Sequence, residues 1–127
     1  MIRVQIAEDD SRQSSLLKNY LTKEEMEITV ITTDGYATID SYLKNSPDIL
    51  ILDIDLPKKN GIEVIDYLTF INAKEQNKCN IIILSGSLPR FDLINTSKVY
   101  KIFRKPTAME EVVDTIREIA SIKAQLL

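Results

Sequence analysis

The stretch Ile49-Leu50-Ile51-Leu52-Asp53-Ile54-Asp55 decides the fold that we predict for this chain. Its first four residues are all apolar, which is typical of a strand that is buried on both faces of a parallel sheet. Ile81-Ile82-Ile83-Leu84 repeats this pattern further along the chain. An unpaired carboxylate is costly to bury, so Asp53, placed directly after such a strand, indicates a functional role.

Stretches with helical periodicity alternate with short apolar strands along the whole chain. Further strands are predicted at 2–7, 27–32 and 100–103, and helices are predicted after residues 10, 34, 60, 89 and 106. The last helix begins with Thr107-Ala108-Met109-Glu110, which has the pattern of a capping box. Because strands joined by helices pair in parallel, we predict one doubly wound α/β domain over residues 1–127.

Composition excludes several classes of protein. The 127 residues carry a net charge of −3 and contain no histidine and one cysteine, Cys79. These counts exclude a Ser-His-Asp hydrolase, a histidine-ligated or thiolate zinc site, and a disulfide within the chain, which suits the cytoplasm. The chain has neither the ~20 apolar residues that a membrane span needs nor the pattern of a signal peptide, so no membrane contact is expected.

Polar side chains follow the predicted strands at the point where each strand ends. Because ligands bind beyond the carboxyl ends of the strands in open α/β sheets, we expect these residues to share one rim. They are Glu8, Asp9, Asp10, Asp53, Asp55, Ser85, Lys105 and Pro106. Taken singly, Asp10 is typical of a helix cap, Ser85 of a turn and Lys105 of a solvated charge. Their joint placement favours a functional site.

The acidic residues of this rim predict a metal. Glu8, Asp9 and Asp53 bring about three negative charges into one crevice, which is unfavourable without a compensating cation. Mg²⁺ suits carboxylates combined with water and a phosphate oxygen. Lys105 and Ser85 are then placed to contact a phosphoryl group, and a carboxylate of the cluster is a candidate nucleophile that forms an aspartyl phosphate.

Four motifs together resemble the receiver domain of bacterial two-component response regulators. They are Ile6-Ala7-Glu8-Asp9-Asp10, residues 50–57 with Asn60-Gly61, Ile83-Leu84-Ser85-Gly86 and Arg104-Lys105-Pro106. The resemblance covers essentially the whole chain and implies a flavodoxin-like sheet with strand order 2-1-3-4-5. It also implies a phosphoacceptor that takes a phosphoryl group from a sensor histidine kinase or a phosphotransfer protein and then switches a partner or output domain in transcription regulation. The resemblance implies that the chain is not an enzyme, since such a domain catalyses only its own phosphorylation and dephosphorylation.

The resemblance implies a role for each residue of the site. Asp53 is the phosphorylated aspartate, Ser85 is the switch hydroxyl, and Lys105 is the lysine that precedes a usually cis proline, here Pro106. Each of these three residues is expected to act on the phosphoryl group.

The same resemblance implies the Mg²⁺ ligands. Asp9 is expected to bind the ion directly, Glu8 through water, Asp53 through its carboxylate and Asp55 through its backbone carbonyl. Asp10 lies one place beyond the acidic pair and is expected to cap the first helix.

One departure from the family pattern concerns the switch. Ile102 stands where the family often has an aromatic residue, and Phe103 is expected on the opposite face of the strand. We therefore expect the change to travel through the loop after strand four and the weakly apolar helix at about Pro89–Thr96. That helix, the strand near Tyr100 and the last helix form the predicted face for a homodimer or partner.

Three other interpretations are open at this point. Asp53-Ile54-Asp55 also resembles the nucleophile motif of haloacid-dehalogenase-type phosphatases. A flavodoxin-like cofactor binder has a similar topology, although Glu8-Asp9-Asp10 would repel its phosphate. A receiver-like binding module that is not phosphorylated is the third. The sequence contains no output domain, so DNA contact is expected only through a domain of a longer chain.

Overall fold

The computed structural model describes residues 1–72, 79–87, 94 and 96–125, and each predicted strand is present among them. The strands are β1 (Arg3–Ala7), β2 (Glu27–Thr32), β3 (Ile49–Leu52), β4 (Asn80–Ser85) and β5 (Val99–Arg104). The helices are α1 (Ser11–Lys23), α2 (Gly35–Asn45), α3 (Gly61–Asn72) and α4 (Met109–Gln125), and a 3-10 turn spans Thr96–Lys98. The helix predicted at about Pro89–Thr96 lies outside the described residues, apart from Ile94 and Thr96.

The five strands form one parallel sheet with the order β2-β1-β3-β4-β5. This order confirms the predicted doubly wound topology. β3 lies at the centre, and its four residues are between 0% and 2% exposed, as their uniformly apolar sequence predicts. The strand order therefore places the ends of β1, β3 and β4 side by side.

Helices cover both faces of the sheet and divide the core into two layers. Ile49 and Ile51 face the layer that contains α1 and α4, while Leu50 and Leu52 face the layer of α2 and α3. This division follows from the alternation of side chains along a strand. Among the described residues, no helix combines the length and the apolar character that crossing a membrane requires.

Two of the helices begin at an acidic cap. The Asp10 carboxylate accepts hydrogen bonds from the backbone of Arg12 at 2.9 Å and of Gln13 at 3.3 Å, so it caps α1 as predicted. These bonds hold the pKa of Asp10 below its usual value, because they stabilise the charged form. Asp34 caps α2 in the same way, through the backbone of Ala37 at 2.8 Å.

The capping box predicted at the last helix is wrong. α4 begins at Met109, and the Thr107 hydroxyl donates to the carbonyl of Arg104 at 2.7 Å. A capping box occurs instead before α3, where the side chains of Asn60 and Glu63 accept hydrogen bonds from each other's backbone at 3.0 and 3.3 Å. Asn60 and Glu63 thereby fix the point at which the chain turns away from the end of β3.

Candidate functional site

Backbone hydrogen bonds continue beyond the ends of the strands and hold the residues of the rim. The backbone of Asp53 donates to the carbonyl of Ala7 at 3.0 Å, and that of Lys105 donates to the carbonyl of Ser85 at 2.9 Å. Because each bond joins neighbouring strands, the positions of these residues relative to one another are set by the sheet.

The three carboxylates predicted as a cluster lie together. Glu8 and Asp53 are each 7% exposed, Asp9 is exposed, and one carboxylate oxygen from each of the three lies within 4.8 Å of the others. Burial raises the pKa of Glu8; a hydrogen bond from Lys105 opposes this effect, and the neighbouring Asp53 adds to it. The three carboxyl groups therefore lie at close range, two of them buried.

Lys105 lies between the two buried carboxylates. Its Nζ donates to Glu8 Oε1 and, at 3.3 Å, to Asp53 Oδ2. Burial lowers the pKa of Lys105, but the bond to Glu8 and the charge of Asp53 outweigh burial, so its pKa is above the usual value. The side chain is thus a fixed ammonium beside Asp53. Of its two carboxylate partners, Glu8 is the closer.

The donor set of the cluster fits a hard divalent cation. With all three carboxylates ionised, the cluster carries two more negative charges than Lys105 neutralises. Oxygen ligands and an excess of negative charge are what Mg²⁺ requires. Glu8, Asp9 and Asp53 are the residues that would hold it, and its chemistry there would be to neutralise charge on a phosphoryl oxygen.

Ser85 and Asp55 make contacts that the sequence did not predict. Ser85 is 1% exposed, and its hydroxyl donates to Asp55 Oδ2 at 3.4 Å. The hydroxyl of Ser87, a residue that the prediction missed, donates to Asp55 Oδ1 at 3.1 Å. Two hydroxyls spaced two residues apart in Ser85-Gly86-Ser87 were the available signal. The role predicted for the Asp55 backbone carbonyl stays a prediction.

The loop after β3 is held close to the site by Gly61. The backbone of Gly61 donates to the carbonyl of Ile54 at 2.8 Å. A Cβ at Gly61 would lie 2.7 Å from the Asp53 carbonyl oxygen, closer than real Cβ atoms come. Glycine is therefore needed here because two segments of backbone approach each other, and not because of an unusual φ.

An open cavity of about 440 Å³ adjoins Glu8 and Lys105. Its other walls are largely apolar and come from α1, the end of β4 and the start of α4, through Leu17, Leu84 and Met109. The acidic cluster is thus reached through a partly apolar depression.

The faces of β5 are arranged as predicted. Phe103 is buried in the layer of α1 and α4, and Ile102 packs against the layer of α2 and α3. Tyr100 packs on the same side as Phe103, and its hydroxyl donates to Glu118. Neither ring therefore takes the position of the missing aromatic residue. The peptide bond between Lys105 and Pro106 is cis, as the resemblance implied.

Comparison with known proteins matches residues 4–117 to the family described as the response regulator receiver domain. RprY of Bacteroides fragilis, a transcriptional regulatory protein, is 28% identical over 120 residues, which are 93% of this chain and 49% of RprY. EvgA of Escherichia coli, a DNA-binding transcriptional activator, is 33% identical over 86 residues, which are 68% of this chain and 40% of EvgA.

Solved structures agree on the fold. The N-terminal domain of an uncharacterised protein of Wolinella succinogenes superposes with a TM-score of 0.83 over all of both chains, at 22% sequence identity. The chain spans about half the length of RprY and less of EvgA. The family model covers 114 residues, from 4 to 117, and therefore most of the chain. The chain belongs to the response regulator receiver domain family, as the four sequence motifs implied.

Proposed function

We propose that this chain is a phosphoacceptor in two-component signal transduction and that Asp53 carries the phosphoryl group. The observation that carries the proposal is the position of Asp53, which is 7% exposed at the end of β3, with Lys105 Nζ 3.3 Å from Oδ2 and two further carboxylates beside it. Family membership supports the same assignment.

The chemistry follows from these neighbours. An oxygen of Asp53 attacks phosphorus, the bond from phosphorus to the donor's imidazole nitrogen breaks, and the donor keeps the electron pair. Lys105 provides a positive charge beside the phosphoryl oxygens. A hydrogen bond between its ammonium and such an oxygen is charge-assisted and is therefore stronger than one between neutral groups. Mg²⁺ held by Glu8, Asp9, Asp53 and the Asp55 carbonyl would neutralise the remaining charge. Ser85 would then donate its hydroxyl to the phosphoryl group.

Intact-mass measurement tests the acceptor. Acetyl phosphate with Mg²⁺ should add one phosphoryl group to the wild-type chain and none to Asp53→Asn, which keeps the size of the side chain and removes the nucleophile. Phosphorylation of Asp53→Asn would show that another residue is the acceptor.

Assays with phosphate donors also separate this proposal from two of the three alternatives, the phosphatase and the unphosphorylated binding module. A haloacid-dehalogenase-type phosphatase would turn over a generic phosphate ester such as p-nitrophenyl phosphate many times. A receiver-like binding module would remain unmodified. We expect no turnover, because residues 4–117 match the receiver family, and we expect modification, because the acceptor, the ammonium and the acidic cluster all lie at one rim.

We infer that the protein donor of the phosphoryl group docks along α1. Leu16 of α1 is apolar and yet 66% exposed. Its neighbours on α1, Gln13 and Leu17, line the cavity that adjoins Glu8 and Lys105. An exposed leucine beside the route to the acceptor is suited to a partner's apolar surface.

A charge placed on α1 tests this docking. With a phosphorylated histidine kinase that phosphorylates the wild type, Leu16→Lys should lower the rate of transfer by about tenfold, as for a residue central to an interface. The rate with acetyl phosphate should not change. Leu43→Lys, at a leucine on α2 that is 48% exposed, is the matched control. Equal effects of both variants would overturn the docking proposal.

We further propose that the receiver is part of a transcription regulator. RprY and EvgA are both named as regulators of transcription, and this chain spans less than two thirds of either. DNA contact would come from an output domain, because the receiver itself carries a net charge of −3. The homodimer face predicted from the sequence, which includes β5 and α4, remains a proposal that sedimentation of the phosphorylated chain can test.

A further inference from the structure

The Asp55 carboxylate accepts hydrogen bonds from two serines, one at the end of β4 and one just beyond it. Its Oδ2 accepts from the Ser85 hydroxyl at 3.4 Å, and its Oδ1 accepts from the Ser87 hydroxyl at 3.1 Å. The backbone N–H of Ser87 donates to Ser85 Oγ at 3.3 Å, and the two hydroxyl oxygens lie 3.1 Å apart. We call these three residues the Asp55 clasp.

One assignment of hydrogens lets Asp55 accept from both hydroxyls. A serine hydroxyl has one hydrogen and can donate only one strong hydrogen bond, while its oxygen can still accept. If Ser85 and Ser87 each donate to one oxygen of Asp55, Ser85 Oγ remains available to accept from the Ser87 backbone. The carboxylate is thus the common acceptor that holds both side chains.

The clasp adjoins the phosphoacceptor directly. The backbone N–H of Asp55 donates to Asp53 Oδ1 at 3.0 Å, so the clasp and the acceptor carboxylate are joined through one residue. Ser85 is 1% exposed, so its hydroxyl can donate only to neighbouring protein groups, which are Asp55 Oδ2 and Ser87 Oγ, or to a phosphoryl group carried by Asp53. Because the hydroxyl has one hydrogen, a bond to Asp55 and a bond to the phosphoryl group exclude each other.

We propose that Asp55 is a positioning residue that holds Ser85 and Ser87 in the resting arrangement and competes with the phosphoryl group for the Ser85 hydroxyl. The proposal rests on the function proposed for Asp53. Phosphorylation then requires that the bond from Ser85 to Asp55 breaks, and the negative charge of Asp55 opposes the arriving anion. The carboxylate of Asp55 therefore sets how readily the side chains of Ser85 and Ser87 leave their resting positions.

The first test uses the unmodified protein without Mg²⁺. Asp55→Asn keeps the size of the side chain but removes the charge that holds both hydroxyls. Water-exchange NMR should show the Ser87 amide exchanging about three- to tenfold faster than in the wild type, as loss of one charge-assisted hydrogen bond implies. Asp66→Asn, at an exposed residue of α3, makes the same change in net charge and should leave this rate unchanged. Equal rates in the wild type and Asp55→Asn would overturn the clasp.

The second test measures competition with a phosphoryl mimic. Beryllofluoride with Mg²⁺ should bind Asp55→Asn about three- to tenfold more tightly than the wild type. If beryllofluoride binds the wild type and Asp55→Asn with equal affinity, the competition is absent and the proposal fails. If it binds neither, the proposed function of Asp53 fails, while the exchange rates still decide the clasp.

A third variant separates the clasp from simple charge repulsion. Ser87→Ala removes one arm, so the clasp predicts that Asp55→Asn has a smaller effect on beryllofluoride affinity in the Ser87→Ala background than in the wild type. Charge repulsion alone predicts the same effect in both backgrounds, and this result would overturn the proposal.

Discussion

The Lys105 side chain contacts both buried carboxylates and also lies beside the position that a phosphoryl group on Asp53 would take. Its ammonium neutralises part of the charge on Glu8 and Asp53, and it lies where a phosphoryl group on Asp53 would need a cation. The two bonds outweigh the cost of burying the ammonium and raise the pKa of Lys105, so its charge is kept throughout the neutral range. Lys105 therefore acts as a permanent positive charge that donates hydrogen bonds, and it does not transfer its proton.

Replacing Lys105 with methionine should separate folding from phosphoryl transfer. Lys105→Met keeps most of the stem and removes the charge-assisted bonds, so the chain should still fold while transfer from acetyl phosphate slows by roughly 10- to 100-fold. Circular dichroism and intact mass against time measure the two effects. A rate equal to that of the wild type would contradict the role given to Lys105.

Cys79 illustrates the effect of burial on a thiol. The residue is 3% exposed, and burial raises its pKa to about 11 from an ordinary value of 9.0. A raised pKa means that the folded state holds the proton more tightly, so this contribution to stability is complete below pH 9 and is lost as the pH rises toward 11.

Thiol chemistry and denaturation check this expectation. At pH 8 the native protein should react with a disulfide reagent far more slowly than the urea-unfolded chain. Between pH 9 and 11 the free energy of unfolding of the wild type should fall relative to that of Cys79→Ala, by roughly 2 kcal/mol in total. Parallel curves for the two proteins would show that the thiol is not protected.

At the scale of secondary structure elements, two glycines mark where the backbone segments beside the site touch. A Cβ at Gly35, the first residue of α2, would lie 1.9 Å from the Lys59 carbonyl oxygen in the loop after β3. At Gly61, the first residue of α3, it would meet the backbone of Asp53 and Ile54 at 2.7 Å. Both helices therefore begin against the segment that carries the acceptor.

Alanine scanning of the glycines should reveal this close approach. Gly35→Ala and Gly61→Ala should each lower the free energy of unfolding by about 1–3 kcal/mol, since the added methyl group must displace backbone. A Cβ at Gly86 would meet nothing within 4 Å, so Gly86→Ala should change stability by less than ~0.5 kcal/mol. Urea denaturation measures all three, and a similar loss for Gly86→Ala would contradict the packing argument.

At the scale of the whole molecule, we expect the acidic cluster to make stability depend on a divalent cation. Asp9→Asn removes one of the three convergent carboxylates and so relieves their repulsion. Without Mg²⁺ its melting temperature should exceed that of the wild type by ~2–5 °C. We expect Mg²⁺ to raise the melting temperature of the wild type, and this rise should be largely lost in Asp9→Asn.

Calorimetry measures the melting temperatures of both proteins with and without 10 mM MgCl₂, which is roughly a saturating concentration for a site of this class. Asp114→Asn, at an exposed position of α4, is the control with the same change in net charge, and it should keep the response to Mg²⁺. An unchanged response of Asp9→Asn would remove Asp9 from the ligand set.

The sequence by itself determined the order of the elements and the rim at which the site lies. Both depend on short-range patterns: uniformly apolar runs predict buried parallel strands, and residues that follow such strands must share one edge of the sheet. Glu8, Asp9 and Asp53 could therefore be placed together from their positions after the predicted strands alone. Capping signals were less informative, because many short stretches match the pattern and tertiary contacts decide which of them is used, as at Asn60 and Thr107.

Only the tertiary structure decided which groups of the rim touch. Lys105 bonds most closely to Glu8, 97 residues away in the chain, and Asp55 holds Ser85 and Ser87 across 30 and 32 residues. Such contacts depend on side-chain rotamers and on loop positions to within about 1 Å, since a hydrogen bond is lost beyond roughly 3.5 Å. A linear pattern specifies the edge of the sheet but carries no information at that precision.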